Sequence, residues 1–421
     1  MLNINTYKEK FHFSVNFYSA FLLVTFIPDF IGMDPGIIRN GYWALKVLLA
    51  CWVIYRSKKS YFHFNATETL FLIVFLIYAA NIFVDVFYAP LYKFKGMGGT
   101  IDFIGFILIL ILSLSFRFDP AYHSEKSFKF FMISLSIGLI IAYFHAAVNT
   151  VQTQGSSDVR FDANSTVNTI VYGQTGCALA LVSIYGIVTY QKKLLRLLFA
   201  VAFVIGMLSI AKAGSRSPIV VMAMVTTFFF MAKLGKLKGI IIICLFAALV
   251  FVFIGPIIEL FNSMGSTLIA RLTNAVETGE SSGRDLIWKN VLNLTSQSPI
   301  FGVYYVIPSG NGAGFYPHNF FLEVFMATGF VGGIPFIILV FVSLSRSFTL
   351  IKMKHPATWI VVLYLQLIGY GMFSTGLYSS QDFWVLIFYI MSINLNVKKI
   401  SPKSSTLVSA KRSHLILQNN E

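Results

Sequence analysis

Acidic residues are scarce in this sequence. Asp and Glu number 17 in 421 residues, and charged residues of both signs make up only 12%. Soluble domains run near a quarter charged, so an ordinary soluble enzyme is excluded. Cysteine is rare as well. Cys51, Cys177 and Cys244 each lie in an apolar run and form no CxxC pair, which argues against a disulfide framework and a zinc site. The apolar runs lack the period-2 alternation of a transmembrane barrel. The polar start, Met1 to Lys10, leads into an apolar run without a small-residue cleavage site, so that run reads as a first anchor and not as a cleaved signal peptide.

What is present is apolar. Hydrophobic residues make up 57% of the chain, with 43 Phe and 20 Tyr. Apolar runs lie near 11–31, 41–55, 68–89, 101–116, 129–148, 167–190, 196–211, 218–232, 239–256, 319–343, 358–376 and 383–396. Each approaches the roughly 20 residues that cross a bilayer, and lipid offers backbone groups no partner outside a helix. The expected fold is therefore all-α, a polytopic membrane protein with about 12 transmembrane helices.

The net charge of +15 reports topology and not nucleic acid. With the N-terminus inside, most Lys and Arg fall on cytoplasmic segments, as the positive-inside rule requires, and both termini are expected there. Residues 1–398 read as the transmembrane domain, including one long outer loop, 257–317. Such a loop is far longer than bundle connections of about 2 to 8 residues and is usually functional. It contains an expected amphipathic helix, Ser282 to Thr295, with Leu286, Ile287, Val291 and Leu294 on one face. A Gly-rich stretch, Pro308 to Phe315, is expected to be a flexible lid. Residues 399–421 form a polar tail with the composition of a disordered segment.

The outer side gathers the candidate chemistry. In Lys212-Ala-Gly-Ser-Arg-Ser-Pro218, Pro218 and Ser217 suit a helix N-terminus, whose free N–H groups beside Lys212 and Arg216 fit a phosphate. The bland alternative is a basic turn touching lipid headgroups. Arg160 and Arg284 are further candidates, because a planar guanidinium grips two diphosphate oxygens; local pairing with Asp158, Asp162 or Asp285 would equally explain them. His318 opens a helix in Tyr316-Pro-His-Asn-Phe-Phe-Leu-Glu323, where an imidazole can act as a base. Glu323 is an intramembrane carboxylate, a functional candidate by default. Alternatively His318 caps the helix and Glu323 pairs with a nearby basic group.

These residues carry a family resemblance. Pro317-His-Asn-Phe-Phe-Leu-Glu323 with Gly329 and Gly332 resembles the PHNxxLExxxxxGxxG signature of the O-antigen ligase/polymerase superfamily. Gly214-Ser-Arg-Ser-Pro218 opening a span, and Gly283-Arg-Asp-Leu-Ile-Trp288 followed by Ser298-Pro-Ile-Phe-Gly302, are similar to that family in order and spacing. The resemblance implies a glycosyltransferase at the periplasmic face of a bacterial inner membrane. Its donor would be an oligosaccharide on undecaprenyl diphosphate, with no cofactor, no metal and no nucleotide sugar. By this resemblance His318 and Glu323 would be catalytic, and Arg216, Arg284, Arg160 and Lys212 would bind the diphosphate. O-antigen polymerase is favoured, with a chain-length co-polymerase as a partner. O-antigen ligase, which transfers to lipid A core, is the alternative. A lipid-linked oligosaccharide flippase fits less well, because transporters place polar groups at the midplane and show related halves.

Overall fold

The structure is a computed structural model that describes residues 33–56, 64–88, 98–117, 125–153, 156–163, 167–252, 254–263, 265–270, 273, 277 and 283–395. In chain order the elements are α1 (Pro35–Arg56), α2 (Ala66–Phe87), α3 (Gly98–Phe116), α4 (Glu125–His145), β1 (Ala147–Thr153), β2 (Ser156–Asp162), α5 (Thr169–Thr189), α6 (Lys193–Ala213) and α7 (Ser217–Leu234). They continue with α8 (Lys236–Val252), α9 (Ile254–Ser263), α10 (Arg284–Gln297), α11 (Phe320–Lys352), α12 (Thr358–Gly371) and α13 (Gln381–Ser392). Seven described helices, α2 to α7 and α11, are long and apolar enough to cross a membrane, and α12 and α13 are shorter apolar helices.

The mostly helical body agrees with the sequence reading, with corrections. The chain is not purely helical: β1 and β2 pair antiparallel, from Ala147 opposite Asp162 to Thr153 opposite Ser156. Of the expected spans, 11–31 lies outside the described residues, as does the tail 399–421. The run 41–55 falls in α1, which carries Lys46 and Arg56, and 239–256 is divided between the 17-residue α8 and the start of α9. The expected span 319–343 is the start of a 33-residue helix.

Capping sets several boundaries. Asn65 begins α2 with a reciprocal capping box: its side chain accepts from the Glu68 amide at 2.8 Å, and Glu68 accepts from the Asn65 amide at 2.8 Å. Asn168 accepts from the Val171 amide to start α5, and Asn319 accepts from the amides of Phe321 and Leu322 to start α11. Each satisfies amides that have no partner within the first turn.

Helix α11 breaks at Gly329, whose φ of 55° and ψ of −149° are open to glycine and costly for other residues. The segment after α10 fills the break. Phe330 and Val331 amides donate to the carbonyls of Pro299 (2.8 Å) and Ile300 (3.0 Å), and the Val303 amide donates to Met326 (3.0 Å). A Cβ at Gly329 would lie 2.4 Å from the Ile300 carbonyl carbon. The two short motifs around Gly302 and Gly329 therefore form one joint, which ties the loop to a membrane helix.

Helices α2, α3, α11 and α13 meet around Trp384, whose ring lies 5.2 Å from Phe75, 5.8 Å from Phe71 and Phe106, and 6.3 Å from Phe336. These side chains are fully buried. Burial of one such ring is worth about 2 kcal/mol in water, but within lipid the gain comes from close packing. α11 packs on both α2 and α7.

Candidate functional site

The turn between α6 and α7 is held firmly. Gly214 ends α6 in the left-handed region, and its amide donates to the Ile210 and Ala211 carbonyls. The Ser266 hydroxyl, from the long loop, donates to Ala211 as well. Arg216, not Ser217, occupies the cap position of α7, and its side chain makes no capping bond. Ser217 is the first helical residue. Its hydroxyl instead accepts from the Ser374 hydroxyl at 3.2 Å, which joins α7 to the segment between α12 and α13.

Arg284 opens α10, one turn before Trp288. Residues four apart share a helix face, and Trp288 donates from Nε1 to the Pro317 carbonyl at 3.0 Å. That bond turns this face of α10 toward His318. The packed stripe is made of Ile287, Val291 and Leu294 with Ile307 and Met326. Leu286, expected in it, is exposed. The Gly-rich stretch is a hydrogen-bonded loop and not a loose lid. Ile307 and Gly314 amides donate to Phe315 and Ile307 carbonyls at 3.0 and 2.9 Å. Asn290 donates to the Ser309 and Asn311 carbonyls at 2.8 and 3.0 Å.

His318 sits at φ 58°, a conformation uncommon outside glycine. Such strain costs on the order of 1 to 3 kcal/mol and persists where surrounding contacts enforce it. Those contacts are visible. Pro317 is held by Trp288, and Asn319 donates to the Met372 carbonyl at 3.3 Å. The Tyr316 ring packs against the imidazole at 4.5 Å. His318 Nδ1 lies 3.4 Å from the Ser374 carbonyl. A carbonyl only accepts, so Nδ1 carries the proton, and in the neutral ring Nε2 has the lone pair.

The three groups share one electrostatic neighbourhood. Burial pushes the His318 pKa below its usual value; the Ser374 carbonyl opposes this, and the Arg284 charge adds to it. Arg284 is itself lowered, by burial first and then by Arg216, with Tyr316 acting the other way. Arg216 acts on Arg284, Arg284 acts on His318, and Ser374 touches both His318 and Ser217. Two repelling guanidiniums beside an imidazole suit a dianionic guest.

Glu323 is fully buried on α11. It accepts from Tyr78 Oη (2.7 Å), the Leu377 amide (2.7 Å) and the Tyr378 amide (3.0 Å). Trp384 Nε1 donates to the Leu377 carbonyl at 2.9 Å. Glu323 thus anchors the segment that presents the Ser374 carbonyl to His318. Lys212 is turned elsewhere. Its ammonium donates to the Tyr143 carbonyl and lies 4.4 Å from the Tyr143 ring and 5.4 Å from Phe161. Arg160 lies on β2 in register with Asn149, and its side chain falls outside the described residues. Ser374, Tyr78 and Trp384 escaped the sequence reading. The polar run Ser374-Thr-Gly-Leu-Tyr-Ser-Ser-Gln381 between two apolar stretches was the available signal.

Among the described residues, no group of three or more His, Cys, Asp or Glu is placed to hold a metal ion. Residues 201–337 match the family model described as O-antigen ligase, a stretch that contains Arg216, Arg284, His318, Glu323 and the Gly329 break. No curated protein matches the chain.

Proposed function

We propose that this chain, whose match over residues 201–337 supports the O-antigen ligase/polymerase superfamily, is an inverting membrane glycosyltransferase that uses a glycan on undecaprenyl diphosphate. The polymerase reading is preferred: the glycan moves onto a lipid-linked repeat unit at the periplasmic face of the inner membrane. The observation that carries the proposal is His318, with Nδ1 beside the Ser374 carbonyl, in the field of Arg284, on which Arg216 acts in turn.

The chemistry follows from the groups. His318 Nε2 takes the proton of the acceptor hydroxyl as its oxygen bonds to the anomeric carbon. The bond from that carbon to the phosphate oxygen breaks, and the electron pair leaves with the diphosphate. Arg216 and Arg284 stabilise the charge that develops there, the role that fixed donors play at an oxyanion. Arg160 joins them in the proposal. Lys212 serves the diphosphate only if it leaves the Tyr143 carbonyl. Glu323 acts through the Ser374 segment and not on substrate.

A ligase reading is the second one, favoured by the match to the O-antigen ligase family model. Deletion of the gene separates the two. Loss of a polymerase leaves core carrying a single repeat unit on the lipopolysaccharide, and loss of a ligase leaves bare core. Complementation by His318→Ala tests both. A normal O-antigen ladder from that variant would overturn the base assignment.

A further inference from the structure

A strip of polar aromatic residues begins at His318 and ends at two carboxylates. The rings of His318 and Tyr316 are 4.5 Å apart, Tyr316 and Tyr378 are 6.3 Å apart, and Tyr378 and Tyr305 are 5.4 Å apart. Beyond Tyr305 come two carboxylates. Tyr305 Oη donates to Asp102 Oδ2 at 3.4 Å, and its amide lies 3.5 Å from Asp85 Oδ2. Tyr305 is 2% exposed and Asp85 is 4% exposed, whereas Asp102, Tyr378 and Tyr316 are half-buried and present surface.

One atom in this strip lacks its bond. Asp85 Oδ1 is buried and has no hydrogen-bond partner among the described residues. A buried acceptor left unsatisfied costs roughly 1 to 3 kcal/mol. Such groups need an explanation, and one explanation is a donor supplied by a ligand. Tyrosine rings that pack against the apolar faces of sugar rings, beside carboxylates that accept from hydroxyls, suit a neutral carbohydrate. They do not suit a phosphate, which the two carboxylates would repel.

The placement says which carbohydrate. In an inverting displacement the nucleophile enters opposite the leaving group. The strip begins at His318, the base that meets the acceptor hydroxyl, and α11 packs both against α7, which follows Arg216, and against α2, which carries Asp85. The arginine side takes the diphosphate, so the geometry points to the strip formed by Tyr316, Tyr378, Tyr305, Asp102 and Asp85 as the binding site of the acceptor glycan. Tyr378 and Asp102 touch the sugar, and Tyr305 positions Asp102. This inference rests on the glycosyltransferase reading above.

The test uses the purified full chain, with lipid-linked repeat unit as donor and free oligosaccharide as the titrated acceptor. The oligosaccharide is released from that lipid or from lipid A core, whichever the wild type accepts. Asp102→Asn and Tyr378→Leu are expected to raise the acceptor KM about tenfold while the donor KM stays within about twofold. Tyr305→Phe, which removes only the hydroxyl that orients Asp102, is expected to raise it about threefold. Because these two polar changes are near-isosteric, they keep the test usable if Tyr378→Leu fails to fold. If the wild type transfers to neither acceptor, the glycosyltransferase reading fails. If the wild type transfers and the variants keep the acceptor KM, or raise the donor KM instead, the acceptor site is overturned while that reading stands.

Discussion

The two rims of the helical bundle use charge in opposite ways. At the rim formed by the start of α2 and the end of α3, Arg117, partly buried, pairs with the buried Glu68 at 2.7 Å. Arg346 donates to the Ile390 and Ile393 carbonyls, and Arg196 donates to the Tyr190 carbonyl at 2.7 Å. Each of these three cations has an acceptor from another part of the chain. At the rim of His318, the Arg216 charge acts against Arg284, which makes no ion pair among the described residues and lies near an imidazole held at positive φ. Charge that closes on itself builds a scaffold. Charge that repels its neighbour is costly to keep and suits an anionic guest.

This contrast is broken most strongly by variants at the His318 rim. His318→Ala, Arg284→Ala or Arg216→Ala is expected to lower transfer by at least about 100-fold, measured by ladder formation in a deletion strain, with membrane insertion and melting temperature preserved. A variant with normal melting and normal ladders would erase the difference between the rims. Glu323→Ala is expected to lower both, because it removes an acceptor shared by three donors. A loss of about 3 kcal/mol in stability, read by thermal melting in detergent, should accompany weak activity.

Arg117→Met gives the mirror image. It leaves the buried Glu68 carboxylate without its ion pair and with only the Asn65 amide on Oε2, and should cost about 3 kcal/mol, while the folded fraction keeps its turnover. A fall in kcat per folded molecule would show that the scaffold rim takes part in the reaction. The pH profile sharpens the comparison further. His318 must be neutral to accept a proton, and burial with the Arg284 charge lowers its pKa. Activity should therefore be full above the usual histidine pKa of about 6.5 and fall only at lower pH; an acid limb above that value would contradict the assignment. Lys212→Gln is the smallest expected effect, less than about threefold in rate, since the Lys212 ammonium already serves the Tyr143 carbonyl.

Local signals were legible in the sequence, and distant partnerships were not. Hydrophobic runs located α2 through α7, and the expected helix 282–295 was found at Arg284–Gln297. The ordered motifs brought Arg216, Arg284 and His318 to attention, and the structure gathers them at one rim. The hairpin was missed because its strands, Ala147–Thr153 and Ser156–Asp162, are rich in Asn, Gln, Ser and Asp, residues that read as loop. Ser374 and Tyr78 could not be found locally. They meet His318 and Glu323 across 56 and 245 residues of chain. Leu286 was misassigned because a 3.6-residue period does not say where the buried stripe ends, and the α11 break limits it to Ile287, Val291 and Leu294. Lys212 sits in the same turn as Arg216, yet the end of α6 directs it to α4.

The claim that Arg216 and Arg284 stabilise one departing diphosphate is tested most directly by a double-mutant cycle on single-turnover transfer. Residues acting on the same group are coupled, so the Arg216→Gln, Arg284→Gln double variant should be little slower than the worse single variant. Losses that multiply in full would mean that the two guanidiniums act at separate places, and the account would fail.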